Sequence, residues 1–198
     1  MGHHVTKIRT NTTKDSICDV KHEPIKFATL WANYPDEAPY TDSRTGKPPD
    51  GYENQCAIKV SVALHKSGGE MRSFRGKGRI IVNGKNTAGL AEPLASWLKL
   101  RPFCGCPKAE TITGKDWAKR ISGRTGIIFF ENYWTRKNET EVNRSGDHID
   151  LWNGARLTAS GFRGTLTTVA RFTIGASSIP GLYSDLSNST QILFWEVK

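Results

Sequence analysis

The sequence lacks a long apolar run and a metal-binding pattern. No stretch reaches the roughly 18 consecutive apolar residues that a membrane-spanning helix needs, so no membrane span is expected. The four cysteines form no C-x-x-C pair and have no clustered histidines, and no zinc template fits their spacing: Cys18, Cys56, Cys104 and Cys106. The glycine–lysine stretches do not match the phosphate-binding pattern G-x-x-x-x-G-K-[ST]. The sequence therefore predicts no metal and no cofactor.

Acidic residues are scarce beside basic ones. The chain has 28 Lys plus Arg against 19 Asp plus Glu, a net charge of +9. Such a charge favours anionic partners, of which nucleic acid and a bacterial cell wall are both candidates. Because the charges are scattered and no arginine-rich tract appears, an ordinary solvated surface is the alternative. No apolar segment follows Met1, so no signal peptide is expected.

The pattern along the chain predicts an α+β protein. Residues 1–24 are polar and weakly patterned, which predicts a loosely ordered N-terminal segment, and residues 25–198 suit one domain. Apolar spacing predicts helices near the N-terminal side and strands afterwards. The predicted helices cover 27–33, 54–68, 88–100 and 113–122, and the predicted strands cover 80–82, 126–130, 147–152, 156–159 and 191–197.

Cys56 begins a predicted buried helix, directly after a long loop over residues 35–54. Asn54 is the predicted N-cap, and Gly68 the predicted stop. The positive end of the helix dipole stabilises a thiolate at this position. First-turn amides without helical partners can bind an oxyanion beside the sulfur. An inert buried cysteine is the alternative.

His148 is the histidine that a predicted strand holds between acids. A nucleophilic cysteine needs an imidazole within hydrogen-bond reach and a third group to hold the ring. Side chains alternate along a strand, so Asp150 shares a face with His148. A two-residue turn at Asn153-Gly154 would place His148 opposite Ala159 and Asp150 opposite Leu157. A structural histidine and a solvated acid remain the alternatives.

Two motifs together resemble the fourth family of type VI secretion amidase effectors. The nucleophile motif is Asn54-Gln55-Cys56-Ala57-Ile58-Lys59-Val60-Ser61, and the histidine motif is Ser145-Gly146-Asp147-His148-Ile149-Asp150-Leu151-Trp152-Asn153-Gly154. Leu30-Trp31-Ala32-Asn33-Tyr34-Pro35 and Ile192-Leu193-Phe194-Trp195-Glu196 are also similar, and the resemblance spans residues 27–197.

This resemblance implies a papain-like, NlpC-type fold, with the helical N-terminal part packed on an antiparallel sheet. It implies a cysteine amidase that cuts the γ-D-glutamyl–meso-diaminopimelate bond of peptidoglycan stem peptides. The enzyme would leave its cell through the type VI apparatus without a signal peptide and act in the periplasm of a target bacterium. A cognate immunity protein would block it, and nucleic acid is not an expected partner.

The resemblance also assigns the site residues. Cys56 and His148 match the catalytic pair. In the mechanism of such an amidase, the Cys56 amide, helped by the side chain of Asn54 or Gln55, would hold the oxyanion. The family usually supplies an Asp where this chain has Ala159. Asp150 is therefore the substitute third member, with a backbone carbonyl or Ser160 as alternatives. A periplasmic workplace would allow a disulfide among Cys18, Cys104 and Cys106.

Two other functions remain open from the residues alone. A papain-like protease or deamidase that acts on proteins would use the same cysteine and histidine. A basic, non-enzymatic module that binds cell wall or nucleic acid would tolerate the loss of Cys56 and show salt-dependent binding.

Overall fold

The computed structural model describes residues 23–134, 145–158 and 186–198. Nearly all of the predicted N-terminal segment, residues 1–24, lies outside this part, so the division into a segment and one domain stays a prediction. The elements follow in the order α1 (Phe27–Ala32), α2 (Cys56–Lys66), β1 (Arg79–Val82), β2 (Lys85–Ala88), α3 (Ala91–Lys99), β3 (Glu110–Thr111), α4 (Trp117–Arg120), β4 (Gly126–Trp134), β5 (Gly146–Trp152) and β6 (Gln191–Glu196).

Four strands form the main sheet, in the spatial order β3, β6, β4, β5. Every pairing is antiparallel, and the last strand of the chain lies between β3 and β4. A separate hairpin consists of β1 and β2. Helices and antiparallel sheets confirm the α+β class. In the part of the chain that the structure describes, no helix has the length and apolar character to cross a membrane.

Apolar side chains cover both faces of the main sheet. Alternate residues along a strand point to opposite faces. One face packs with α1, α2 and α3 and includes Ile149 and Leu151 of β5. The other face packs around Trp117 of α4, whose ring lies 5.0 Å from Phe130 and 5.5 Å from Trp152, both edge-on. The sheet is thus held from two sides, which fixes β5 as a rigid platform.

Helix α2 is buried along most of its length, as its sequence predicted. Eight consecutive residues, 57–64, are buried, so the helix is fixed against the sheet on one side and the hairpin on another. The expected N-cap is wrong: Gln55 occupies that position, and no side chain caps the helix end. Asn54 stands one residue too early to do so.

The turn after β5 also differs from the prediction. Asn153 Oδ1 accepts hydrogen bonds from the backbone N–H groups of Ala155 (3.1 Å) and Arg156 (2.9 Å). This side-chain interaction widens the turn to four residues, and Trp152, the last residue of β5, pairs with Leu157. The two-residue turn, and the register that placed Leu157 opposite Asp150, were therefore wrong. Strand β2 was missed, and α4 is shorter than the helix predicted over 113–122.

Candidate active site

Cys56 occupies the first position of α2 and is half-exposed, with its inner side against the core. The first helical hydrogen bond runs from the Lys59 N–H to the Gln55 carbonyl, at 2.8 Å. Amides earlier in the first turn therefore have no helical partner, which is the general property of helix N-termini. The thiol thus lies beside donors that can bind a developing negative charge.

His148 and Asp150 lie two residues apart on β5, the edge strand of the main sheet in the described residues. Their side chains share a face. His148 Nε2 is 3.4 Å from Asp150 Oδ2, and the two side chains are 3% and 1% exposed. Phe130, directly opposite His148 on β4, stacks on the imidazole with its centroid 6.3 Å away. The ring is therefore fixed by packing on one side and by a carboxylate on the other.

The charge state of His148 follows from three influences. Burial lowers the pKa of the imidazole, but hydrogen bonds to Asp150 and to the Cys56 thiol outweigh burial and raise the pKa to about 10. The hydrogen bond to Cys56 means that the sulfur and the ring are within direct reach of each other. With Nε2 facing the carboxylate, Nδ1 is the nitrogen left for the thiol. The surroundings of His148 therefore favour its charged imidazolium form.

Two hydrogen bonds besides the contact with His148 fix the Asp150 carboxylate. Its Oδ1 accepts a hydrogen bond from the Leu151 N–H at 2.8 Å and a short one from Thr158 Oγ1. Thr158 is buried, and no motif in the sequence points to it. Its place near Asp150 depends on the four-residue turn, which no local motif indicated. The other expected surroundings of the third member, Ala159 and Ser160, lie outside the described residues.

Gln55 and Asn54 differ in their surroundings. Gln55 is 5% exposed, and its side chain makes two hydrogen bonds to the backbone of Tyr40: Nε2 donates to the carbonyl at 2.5 Å, and Oε1 accepts from the N–H at 3.0 Å. These contacts tie the loop over residues 35–54 to the helix. Asn54 is exposed beside a cavity of about 600 Å³ between this loop and α2. The predicted oxyanion role of either side chain stays a prediction, and for Gln55 it would fall to the second hydrogen of Nε2, since the first is donated to the Tyr40 carbonyl.

Cys104 and Cys106 lie in the loop between α3 and β3. Cys104 and Cys106 are not bonded to one another, and the buried Cys106 Sγ is 3.8 Å from the carbonyl oxygens of Leu98 and Pro107. A disulfide to Cys18 involves a residue outside the described part and stays a prediction. Across residues 23–134, 145–158 and 186–198, no group of three or more His, Cys, Asp or Glu side chains could hold a metal ion.

Comparison with known proteins agrees with this geometry. The family model of type VI secretion system amidase effector protein 4 (Tae4) matches residues 52–195. The fold is similar to that of Tae4 from Enterobacter cloacae, at 18% identity and a TM-score of 0.54, over 89% of this chain and 99% of that one. It is also similar to the Tae4/Tai4 effector–immunity structure from Salmonella typhimurium, at 15% identity and a TM-score of 0.54, over 89% and 100% of the two chains. Curated protein sequences gave no match.

The class of protein is therefore a type VI secretion amidase effector, a hydrolase of amide bonds. Within that class, the chain belongs to the Tae4 family, because the family model covers well over half of its residues.

Proposed function

We propose that this protein is a papain-like cysteine amidase that hydrolyses the γ-D-glutamyl–meso-diaminopimelate bond in peptidoglycan stem peptides. The observation that carries the proposal is one constellation. A half-exposed thiol at an uncapped helix N-terminus lies within hydrogen-bond reach of a buried imidazole, which faces a buried carboxylate at 3.4 Å. Nucleophilic cysteine hydrolases need this set of groups.

The first half of the reaction forms an acyl-enzyme. The Cys56 thiolate attacks the carbonyl carbon of the stem peptide, while His148 carries the proton as an imidazolium. First-turn amides of α2, including that of Cys56, bind the oxyanion that forms. His148 then gives its proton to the nitrogen of the leaving amine, so the C–N bond breaks and a thioester remains.

The second half regenerates the enzyme. Neutral His148 takes a proton from a water molecule, which attacks the thioester carbonyl. The C–S bond breaks, the carboxylic acid product leaves, and Cys56 and His148 return to their starting states. Asp150 orients the ring and stabilises its positive charge in both halves, which is the role of the third group in such triads.

The substrate approaches from the solvent side of Cys56. The cavity of about 600 Å³ beside Asn54 offers space for the extended stem peptide, and its wall is the loop that Gln55 holds in place. The net charge of +9 draws the protein toward an anionic cell wall.

A cognate immunity protein blocks this site in the producing cell. Support comes from the relatives, because Tae4 from Enterobacter cloacae and from Salmonella typhimurium have each been solved in complex with the immunity protein Tai4. The periplasm of a competing bacterium is the place of action, since the proposed substrate lies there.

Digestion of purified muropeptides tests the proposal directly. Mass spectrometry of the products should show a break between the D-glutamyl and diaminopimelate residues. Cys56→Ala should lower the rate by at least about a thousandfold without changing the thermal unfolding midpoint. Cys104→Ala, which alters another half-exposed cysteine, is the matched control and should leave the rate unchanged. Cleavage of casein instead of muropeptides would favour a protease, and full activity in Cys56→Ala would refute the proposed nucleophile.

A further inference from the structure

Two buried polar atoms near the site have no partner at close hydrogen-bond geometry among the described residues. One is Asp150 Oδ2, whose contact with His148 Nε2 is 3.4 Å long, and the other is the hydroxyl oxygen of Tyr34. A buried hydroxyl without a partner is costly, so each case needs an explanation. A donor and an acceptor left open at the same place point to a contact between them.

Tyr34 reaches the site from a different part of the chain. It follows α1 directly, its N–H donates to the Trp31 carbonyl at 3.3 Å, and its side chain is 9% exposed. The ring packs in the core with Ala57 of α2, and Lys59 Nζ lies 6.0 Å from the ring centroid. Lys59 also donates to the Asp36 carbonyl at 2.8 Å, which fixes the chain on the other side of Tyr34.

The electrostatic surroundings of Tyr34 identify what that hydroxyl faces. Burial raises the pKa of Tyr34 well above its ordinary value, and the negative charge of Asp150 raises it further. A hydrogen bond with the Thr158 side chain lowers this pKa, whereas the charge of Cys56 and a hydrogen bond with Asp150 raise it. The phenol therefore stays protonated throughout the working range and can act as a permanent donor. It lies close enough to Asp150 to feel that charge. In the present arrangement, however, the contact with the carboxylate does not reach full hydrogen-bond geometry.

We propose that Tyr34 is a positioning residue for Asp150, whose hydroxyl donates to Oδ2 and fixes the carboxylate against His148. Two donors already hold Oδ1, namely the Leu151 N–H and Thr158 Oγ1. With Tyr34 on Oδ2, the carboxylate has donors on both oxygens besides the imidazole, so its rotation is restricted. The effect of this contact on catalysis rests on the proposed function, whereas the existence of the contact does not depend on it.

The matched variants are Tyr34→Phe, which removes only the hydroxyl, and Thr125→Val, which removes a hydroxyl that donates to the Val197 carbonyl. Loss of a hydrogen bond to a charged group should lower kcat about tenfold, with little change in KM, and move the alkaline limit of activity to lower pH. Thr125→Val should change neither. In an Asp150→Asn background, Tyr34→Phe should have no further effect, because a residue that acts through Asp150 cannot act without its carboxylate.

Two readouts need no substrate. Tyr34→Phe should shift the pH dependence of Cys56 alkylation by iodoacetamide, followed by mass spectrometry of the Cys56 peptide. In the wild type, a slowly exchanging low-field hydroxyl proton should appear in the NMR spectrum and vanish in Asp150→Asn. If the protein cleaves no muropeptide, these readouts still decide the contact. Unchanged kcat and unchanged alkylation in Tyr34→Phe, additivity with Asp150→Asn, or absence of the hydroxyl signal would each overturn it.

Discussion

A histidine lies near each end of helix α2, and the pKa values of the two rings are shifted in opposite directions. At the N-terminal end, Cys56 meets the buried His148, whose ring faces a carboxylate. At the C-terminal end, His65 directs Nδ1 at the Gly69 carbonyl (3.2 Å) and Nε2 at the Asn86 carbonyl (2.7 Å). Burial lowers the pKa of both rings, and only at His148 do an acid and a thiol reverse the direction.

This difference shows what makes a buried histidine a candidate base. Hydrogen bonds to backbone carbonyls also favour an imidazolium. At His65 they do not outweigh desolvation by burial, so the pKa of this ring falls below the ordinary value. Carboxylate and thiolate carry full charges, and these suffice at His148. We therefore expect changes at the N-terminal end of α2 to alter catalysis, and changes at the C-terminal end to alter stability.

The largest effect should come from His148→Ala. Removing the imidazole takes away both the proton acceptor and the acid for the leaving amine, so amidase activity should fall by at least about a thousandfold. Muropeptide turnover measures the loss, and circular dichroism checks that the fold persists. His65→Ala is the matched control at the other end of the helix. Comparable activity losses in both variants would contradict the proposal that the N-terminal end of α2 serves catalysis and the C-terminal end serves stability.

A smaller effect is expected from Asp150→Asn. The wild type should keep its activity until His148 loses its proton, so the alkaline limb of the kcat profile should lie near pH 10. Without the carboxylate, the ring loses a main source of its raised pKa, and this limb should move toward the ordinary value of 6.5. The pH dependence of muropeptide hydrolysis measures the shift. An identical limb in both proteins would contradict the role given to Asp150.

Gln55→Ala should have an intermediate effect, mainly on KM. The substitution removes both hydrogen bonds that hold Tyr40, so the loop wall beside Cys56 should loosen. Loss of such contacts corresponds to about 1–2 kcal/mol, or roughly a tenfold fall in kcat/KM. Ser96→Ala, on the exposed side of α3, removes a hydrogen bond to Glu92 and serves as the control. A fall in kcat alone would favour the oxyanion role for Gln55 instead.

The smallest effect on activity, with a measurable effect on stability, is expected from His65→Gln. Because the folded pKa of His65 is lowered, the unfolded chain takes up the proton more readily as pH falls through 6.5. The stability that neutral His65 supplies is therefore present above pH 6.5 and lost below it. Urea unfolding should show the wild type more stable than His65→Gln by about 1 kcal/mol at pH 8, and by less at pH 5. An advantage that grows toward pH 5 would reverse the sign and refute this account of His65.

The sequence predicted much of this fold because local patterns were strong. The apolar run after Cys56 could only be a buried helix, and the strands around Phe129, Ile149 and Phe194 each carried enough apolar residues to be recognised. The hairpin strand β2 escaped notice because Lys85–Ala88 has little apolar character of its own.

Other features depended on contacts that no local pattern records. The side chain of Asn153 binds the turn backbone and so shifts the register after β5. That shift brings Thr158, and not Leu157, to Asp150. Tyr34 lies more than a hundred positions before Asp150 in the chain, and only the packing of its ring against α2 places it near the site.

The pairing of Cys56 with His148 is tested most directly by the rate of Cys56 alkylation as a function of pH. Iodoacetamide labelling, followed by mass spectrometry of the Cys56 peptide, should show rapid reaction at pH 6 in the wild type. His148→Ala should react slowly at pH 6 and regain reactivity only under alkaline conditions. Slow labelling of the wild type at pH 6, or the same pH dependence in both proteins, would contradict the account.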